Sequence, residues 1–295
     1  MKRHNADMGL LLVGILWGLG FVFVKIGLNE GIDPFYLLTI RFLGGFTILF
    51  AIFGKKMRKI TLYDLKAGII IGMFQFFGYT LQTYGMTMTT ASNNAFFTAI
   101  NVVIVPYFFW FIYKERPDKT TFIASILCVL GVGIMSFDNN MNLTNLNKGD
   151  ALTIICAVFF AAQVAATGYY SERIHTLNLV FIQMIVGGVL FLLNLLFISG
   201  AKEIKLLHGM SLIAILYLTI FSTAIPFLLQ TYFQKWTTST RASIIMTTES
   251  LFAPLFAFFL LGEVLTLKVI TGAGLIMLSV FVSEIKFKKK ELEKG

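Results

Sequence analysis

Residues 81–90 read LQTYGMTMTT, and residues 229–238 read LQTYFQKWTT. Six of these ten positions are identical at an offset of 148 residues, which is hard to obtain by chance. We therefore expect the chain to consist of two related halves, residues 1–142 and residues 143–295.

Other features recur with the same repeat. The offset of 148 carries Pro106 onto Pro254 and Glu115 onto Glu263, each at the same place relative to its apolar stretch. An offset of 143 relates the glycine pair 44–45 to the pair 187–188, a change that different loop lengths can absorb.

Composition identifies the solvent that surrounds the chain. Of the 295 residues, 57% are apolar and 13% are charged, whereas a soluble domain has about 25% charged residues. Ten apolar stretches are each long enough to cross a bilayer core of about 30 Å as a helix. They lie near residues 8–28, 34–54, 65–84, 90–113, 120–137, 150–170, 178–199, 209–233, 239–261 and 267–284.

These stretches predict an all-α integral membrane protein with ten transmembrane helices. Membrane-spanning β-strands are excluded because the stretches are continuously apolar and do not alternate with period two. A cleaved signal peptide is the alternative for the first stretch. An uncleaved helix is favoured, because the stretch is longer than a signal sequence and lacks a convincing small-residue cleavage site.

The distribution of Lys and Arg predicts the orientation. Most of the 24 basic residues fall on one side when the N-terminus is placed in the cytoplasm, so both termini are expected inside. The net charge of +9 follows from this asymmetry. Anionic lipid is the expected neighbour of the basic cytoplasmic loops and of the tail at residues 286–294, and nucleic acid is not.

An odd number of helices in each half has a further consequence. With five helices per half, the second half begins on the opposite side of the membrane, so the repeats are inverted. Inverted repeats around a midplane site give inward-open and outward-open states of comparable energy, which favours transport. The sequence contains no ATP-binding motif or cofactor signature. Transport is therefore expected to occur by facilitated diffusion or to be driven by an ion gradient.

Several motifs resemble the EamA-type family of the drug/metabolite transporter superfamily. They are LWGLGFVFVK at residues 16–25, Asp33-Pro34, Arg41-Phe42, the TTAS that ends at Ser92, Glu115, and Gly262-Glu263. The resemblance implies a ten-helix carrier of metabolites, often amino acids, that commonly works as an exporter. It also implies a central cavity lined by helices 1, 3, 4, 6, 8 and 9. The second half departs from the first, with Phe159 in place of Trp17 and Met184 in place of Arg41.

Glu249 is the sharpest candidate for a functional residue. A carboxyl near mid-membrane costs about 2.5–3.5 kcal/mol on insertion scales and so marks a site. Its repeat partner is Asn101, and each stands five residues before a proline. Glu249 could recognise a substrate ammonium or carry a coupled proton, and the alternative is an interhelical hydrogen bond that serves only packing.

The remaining candidates are polar or aromatic groups at similar depth. Gln75 and Gln163 could bind substrate or only join helices, while Trp17, Tyr79 and Phe159 could form cavity walls. Gln82 and Gln230 suit gating. Arg41 could attract an anionic group, or its head could reach the outer interface along an extended side chain.

Two other function classes stay open. A membrane-embedded enzyme is disfavoured because the sequence has no metal-ligand spacing and no nucleophile motif. A scaffold would not need an inverted repeat. The expected partner is a small zwitterionic or cationic substrate, and association into a homodimer stays open.

Overall fold

The computed structural model describes residues 2–114, 119–136, 147–198 and 207–284. These residues form helices and connecting turns, without a strand among them, and the predicted all-helical fold is confirmed. Glu115, the division between the halves at residues 142 and 143, and the basic tail at residues 286–294 lie outside the described residues.

The first half contains six helices. They are α1 (Lys2–Asn29), α2 (Pro34–Phe53), α3 (Leu62–Met86), α4 (Ala91–Thr98), α5 (Asn101–Tyr113) and α6 (Lys119–Ser136). The second half contributes α7 (Lys148–Ser171), α8 (Thr176–Phe197), α9 (Gly209–Thr219), α10 (Ile225–Phe233), α11 (Ser239–Met246), α12 (Glu249–Leu261) and α13 (Leu267–Glu284). A π-helical turn, Ile220–Ala224, joins α9 to α10.

Local sequence explains where α2 and α3 begin. The Asp33 carboxylate accepts hydrogen bonds from the Phe35 and Tyr36 amides, and Pro34 occupies the first helical turn, where its missing N–H costs nothing. Thr61 and Asp64 form a reciprocal capping box at the start of α3.

In the part of the chain that the structure describes, seven helical segments are long and apolar enough to cross a membrane. They are His4–Asn29, Pro34–Lys56, Ala91–Phe111, Lys148–Ser171, Thr176–Phe197, Gly209–Trp236 and Ser239–Leu261, and Leu267–Ser279 is a shorter apolar helix. Large apolar side chains such as Phe111, Phe197 and Phe259 are more than 70% exposed. Such exposure suits contact with lipid, where apolar surface carries no penalty.

Two predicted helices are interrupted, which corrects the expectation of continuous helices at residues 90–113 and 239–261. The first is divided at residues 99–100 and the second at residues 247–248. In both, the backbone tightens into i to i−3 hydrogen bonds, as from Val102 to Ala99 and from Ser250 to Thr247. The segment at residues 209–233 is likewise interrupted, by the π-helical turn.

The interruptions repeat at the offset of 148 residues. Thr90 caps α4 and Thr238 caps α11, each through its hydroxyl. The C-cap of α5 is Lys114, with φ 60°, and that of α12 is Gly262, with φ 66°. Equivalent caps, breaks and prolines show that the sequence repeat is also a repeat of local structure.

Helices pack mainly across the two halves. The closest pairs are α1 with α12, α2 with α8, α3 with α7 and α8, α5 with α7, and α6 with α13. When each helix is replaced by its counterpart in the other half, the contact of α1 with α12 becomes the contact of α7 with α5. This exchange leaves the pairs α2 with α8 and α6 with α13 unchanged, as a two-fold relation requires.

Candidate functional site

A cavity lies between the two halves and holds about 690 Å³ of empty space, including its open part. The walls come from α1, α2, α3, α4, α5, α7, the π-helical turn, α10, α11 and α12. These elements correspond to predicted helices 1, 3, 4, 6, 8 and 9, with one side chain added from helix 2.

Most of the predicted site residues line this cavity. They are Trp17, Arg41, Tyr79, Gln82, Asn101, Gln163 and Glu249. The remaining wall is largely apolar and includes Phe21, Met86, Phe160, Phe227 and Met246.

Glu249 and Asn101 occupy equivalent places at the helix breaks. Each is the first residue of its helix, α12 or α5, and each lines the cavity. Glu249 is 7% exposed and Asn101 is 9% exposed. Within the described residues, neither side chain has a hydrogen bond or ion pair. Both therefore offer their polar atoms to whatever enters the cavity.

Close approach of α1 holds the break beside Glu249. A Cβ added at Gly14 would lie 3.0 Å from the Met246 carbonyl oxygen, and one at Gly18 would lie 3.1 Å from the Glu249 carbonyl oxygen. The two glycines are four residues apart, the small-xxx-small spacing that lets helix backbones meet in a membrane. The four-residue spacing of these glycines can be read from the sequence. Depth in the membrane and charge, which single out Glu249, do not single out the glycines.

Arg41 is buried and binds the π-helical turn. Its Nε donates to the Thr223 hydroxyl at 2.5 Å, and its Nη2 donates to the Ser222 carbonyl at 3.1 Å and hydroxyl at 3.0 Å. The guanidinium carbon lies 4.7 Å from the centre of the Tyr79 ring. With Arg41 only 3% exposed, the alternative of a side chain that reaches the outer interface is wrong.

The Ser222 carbonyl has a second partner. Trp17 Nε1 donates to it at 3.0 Å. A proline lacks the N–H that would bond the carbonyl four residues earlier, and Pro226 frees the Ser222 carbonyl in this way. The proline rule that singles out the helices of Pro106 and Pro254 applies equally to Pro226 and is the sequence signal for this part of the site.

Phe159 does not line the cavity. It stacks on Phe77 with ring centres 5.3 Å apart, and the neighbouring Phe160 faces the cavity instead. The pairing of Trp17 with Phe159 is wrong by one residue, because the offset of 143 that relates the glycine pairs aligns Trp17 with Phe160. Adjacent helical residues point about 100° apart, so the one-residue error selects another face.

Gln75 and Gln230 are fully buried behind the cavity wall. Gln75 Nε2 donates to Gln183 at 3.2 Å, and Gln183 Nε2 donates in turn to the Thr231 hydroxyl at 3.2 Å. Gln230 donates to the wall residue Gln163 at 3.4 Å. The hydrogen bonds of Gln75 join neighbouring helices, which is the packing role considered for this residue. The hydrogen bond of Gln230 supports Gln163 in the cavity wall.

The two ends of α1 carry different contacts. Near its end, Lys25 Nζ donates to the Met86 carbonyl at 3.0 Å and to the Thr89 carbonyl at 2.7 Å. Near its start, Asp7 forms a bidentate ion pair with Arg241, at 3.1 and 2.9 Å.

Glu263 acts at the same end as Lys25. Its carboxylate accepts from the Ala91 amide at 2.7 Å, and from the Ser92 amide at 3.1 Å and hydroxyl at 2.6 Å. A carboxylate is favourable at a helix N-terminus. Glu263, two residues beyond the end of α12, therefore anchors the start of α4 in the other half.

A largely apolar cavity with a few polar groups, enclosed by two related sets of membrane-spanning helices, defines a multi-pass membrane transport protein of the cell membrane. Residues 4–137 and 147–284 each match the EamA-like transporter family. The chain belongs to this family, which confirms the resemblance drawn from the sequence.

Individual relatives agree with this assignment. The chain is 34% identical to an uncharacterized transporter of Archaeoglobus fulgidus, over 97% of this chain and 88% of the relative. It is 25% identical to a probable amino-acid metabolite efflux pump of Salmonella typhimurium, over 98% and 97% of the two chains. A solved crystal structure aligns with a TM-score of 0.73 at 14% identity, covering 99% of each chain, and shows a similar fold.

Proposed function

We propose that this protein is a secondary transporter that exports small zwitterionic or cationic metabolites, amino acids or related compounds, by alternating access. The observation that carries the proposal is the unpartnered Glu249 carboxyl in the cavity between the halves. A carboxyl there attracts an ammonium and repels phosphates. The efflux-pump relative supports both the substrate class and the direction.

The membrane architecture is part of the same proposal. Ten crossings, with both termini in the cytoplasm, arise when α4 with α5, α9 with α10, and α11 with α12 each form one crossing. The packing of helices across the halves supports an inverted relation. A reporter fused after residue 295 should be active only on the cytoplasmic side, and activity on the outer side would contradict the orientation.

Alternative functions receive less support. A non-transporting scaffold has no use for a cavity with an unpartnered carboxyl at the junction of the halves. The names of the family and its relatives point to transporters rather than enzymes.

Flux through liposomes tests the proposed function. Reconstituted wild-type protein should release preloaded amino acids that also raise its Tm in a thermal-shift screen, because a ligand stabilises the state it binds. Glu249→Gln should abolish or strongly reduce the flux. Glu172→Gln is the matched control, since Glu172 is exposed at the end of α7. Absence of both ligand stabilisation and flux across amino acids and related amines would refute the proposal.

The same variant separates two roles for Glu249. If the carboxylate binds a substrate ammonium, affinity should fall by about 10-fold or more in Glu249→Gln, the effect of a lost charged hydrogen bond. If it carries a coupled proton, affinity should persist while accumulation driven by a pH gradient is lost. The other titratable groups near Glu249 are Tyr79, Cys156 and Arg41. Unchanged affinity and unchanged pH dependence would leave Glu249 with a packing role.

A further inference from the structure

The cavity contains two ionisable side chains of opposite sign that are not paired with each other. Arg41 and Glu249 both line it. Arg173 pairs with Glu172 and Arg241 pairs with Asp7. Within the described residues, neither Arg41 nor Glu249 takes part in an ion pair. Burying a charge without a counter-ion is expensive, so this arrangement calls for a ligand.

Arg41 is only partly satisfied by the protein. Its Nε and Nη2 donate to Thr223 and Ser222, and these acceptors are neutral, as is the Tyr79 side chain beside them. Within the described residues, no carboxylate contacts the guanidinium. The contacts hold the guanidinium in one orientation and leave its charge for an anion. A guanidinium fixed in this way suits the planar geometry of a carboxylate.

Glu249 supplies the opposite pole of the cavity. Its carboxyl has neither a hydrogen-bond donor nor a cation beside it in the described part of the chain. The Tyr79 side chain stacks on Arg41 and also lies within electrostatic range of Glu249. The two poles and Tyr79 therefore line one cavity.

We propose that Arg41 and Glu249 together recognise a zwitterion, with the substrate carboxylate at Arg41 and its ammonium at Glu249. This inference rests on the proposed function and narrows it from zwitterionic or cationic substrates to zwitterionic ones. Such a ligand neutralises both poles at once, whereas a simple amine leaves Arg41 without a counter-ion. The aromatic and methionine wall adds a preference for an apolar substituent, as in leucine or phenylalanine.

The repeat explains why the site has a direction. The positions equivalent to Arg41 and Glu249 in the other half are Met184 and Asn101, which are neutral. A cavity with exact two-fold chemistry would carry each kind of charge twice or not at all. Here each half contributes one pole, so a zwitterion has one orientation with both charges matched.

Two matched ligand sets test this inference. The sets are leucine with isoamylamine and 4-methylpentanoate, and phenylalanine with 2-phenylethylamine and 3-phenylpropanoate, each measured by binding to the purified full chain. In the wild type, the zwitterion of at least one set should bind about 10-fold or more tightly than its amine and its acid, because each lacks one charged hydrogen bond. This comparison needs no variant and so cannot fail through misfolding.

Variants then assign each pole. Arg41→Gln should abolish the preference for the zwitterion over the amine, and Glu249→Gln should abolish the preference over the acid. Phe160→Leu is the control, since it should weaken all three ligands of a set alike and leave their ratios unchanged. An amine that binds the wild type as tightly as its zwitterion overturns the role of Arg41 and leaves the proposed function intact. Failure of every ligand to bind, together with absent amino-acid and amine flux, overturns both.

Discussion

Replacement of Gly18 by alanine tests whether the backbone contact of α1 positions Glu249. The added Cβ would lie 2.7 Å from Phe252 Cβ, 3.1 Å from the Glu249 carbonyl oxygen and 3.2 Å from the Ala253 amide nitrogen. All three atoms belong to the rigid frame of α12. Ordinary contact begins at 3.4 Å, so α1 and α12 must separate by about 0.7 Å at this point.

The expected loss of stability follows from that separation. Overpacking against a fixed neighbour costs about 1–3 kcal/mol, and the higher helix propensity of alanine offsets about 1 kcal/mol of it. A net destabilisation of about 0–2 kcal/mol is expected. Since misplacement of a site group by 1 Å can cost about 100-fold in rate, transport should fall more than stability.

Thermal unfolding in detergent and liposome flux, measured on the same preparation, check this prediction. Gly274→Ala is the matched control, because a Cβ at Gly274 meets nothing within 4 Å. It should retain wild-type flux and a Tm at least as high as that of the wild type. If Gly18→Ala and Gly274→Ala behave alike in both assays, α1 does not hold the Glu249 break and the reasoning fails.

Three further changes test separate parts of the structure. Glu263→Ala removes the carboxylate from the start of α4 and should lower stability by about 1–2 kcal/mol, with Glu263→Gln falling between; equal Tm values for Glu263→Ala and wild type would exclude the anchoring role. Trp17→Phe removes the Nε1 donor to the Ser222 carbonyl and should cost about 1 kcal/mol; unchanged unfolding would mean that Arg41 alone satisfies this carbonyl. Burial, together with the positive charges of Arg58 and Lys235, lowers the pKa of His175, and Asp64 opposes this only in part. The unfolded chain therefore binds the proton first as pH falls below about 6.5, so the wild-type Tm should drop between pH 7 and pH 5 more steeply than that of His175→Asn, and parallel profiles would contradict the lowered pKa.

The helical fold and the repeat could be predicted because they depend on local features. Apolar length marks the membrane segments, and the offset of 148 residues marks equivalent positions such as Asn101 and Glu249. Depth along a helix also follows from residue count at about 1.5 Å per residue. These features of the sequence are sufficient to select most of the polar residues that line the cavity.

The direction in which a side chain points from its helix, and the positions of the helix breaks, could not be predicted in the same way. Phe159 and Gln75 lie at the expected depth, but their side chains pack away from the cavity, and depth does not report rotation about the helix axis. In the continuously apolar segments, no polar stripe marks the inner face. The break before Glu249 lies against α1 at Gly18, and such a contact between distant segments is a tertiary feature.

The contrast between the two ends of α1 has a consequence for the response to salt. Lys25 and Glu263 hydrogen-bond to neutral backbone and hydroxyl groups and attract each other only beyond ion-pair distance, so mobile ions weaken the contacts at this end less. Asp7 and Arg241 are a pair of full charges, with side chains 22% and 30% exposed. Dissolved ions screen such a pair within a Debye length of about 8 Å at physiological ionic strength. If the proposed alternating access opens each end in turn, the ionic strength of one compartment alone should shift the balance between the two facing states.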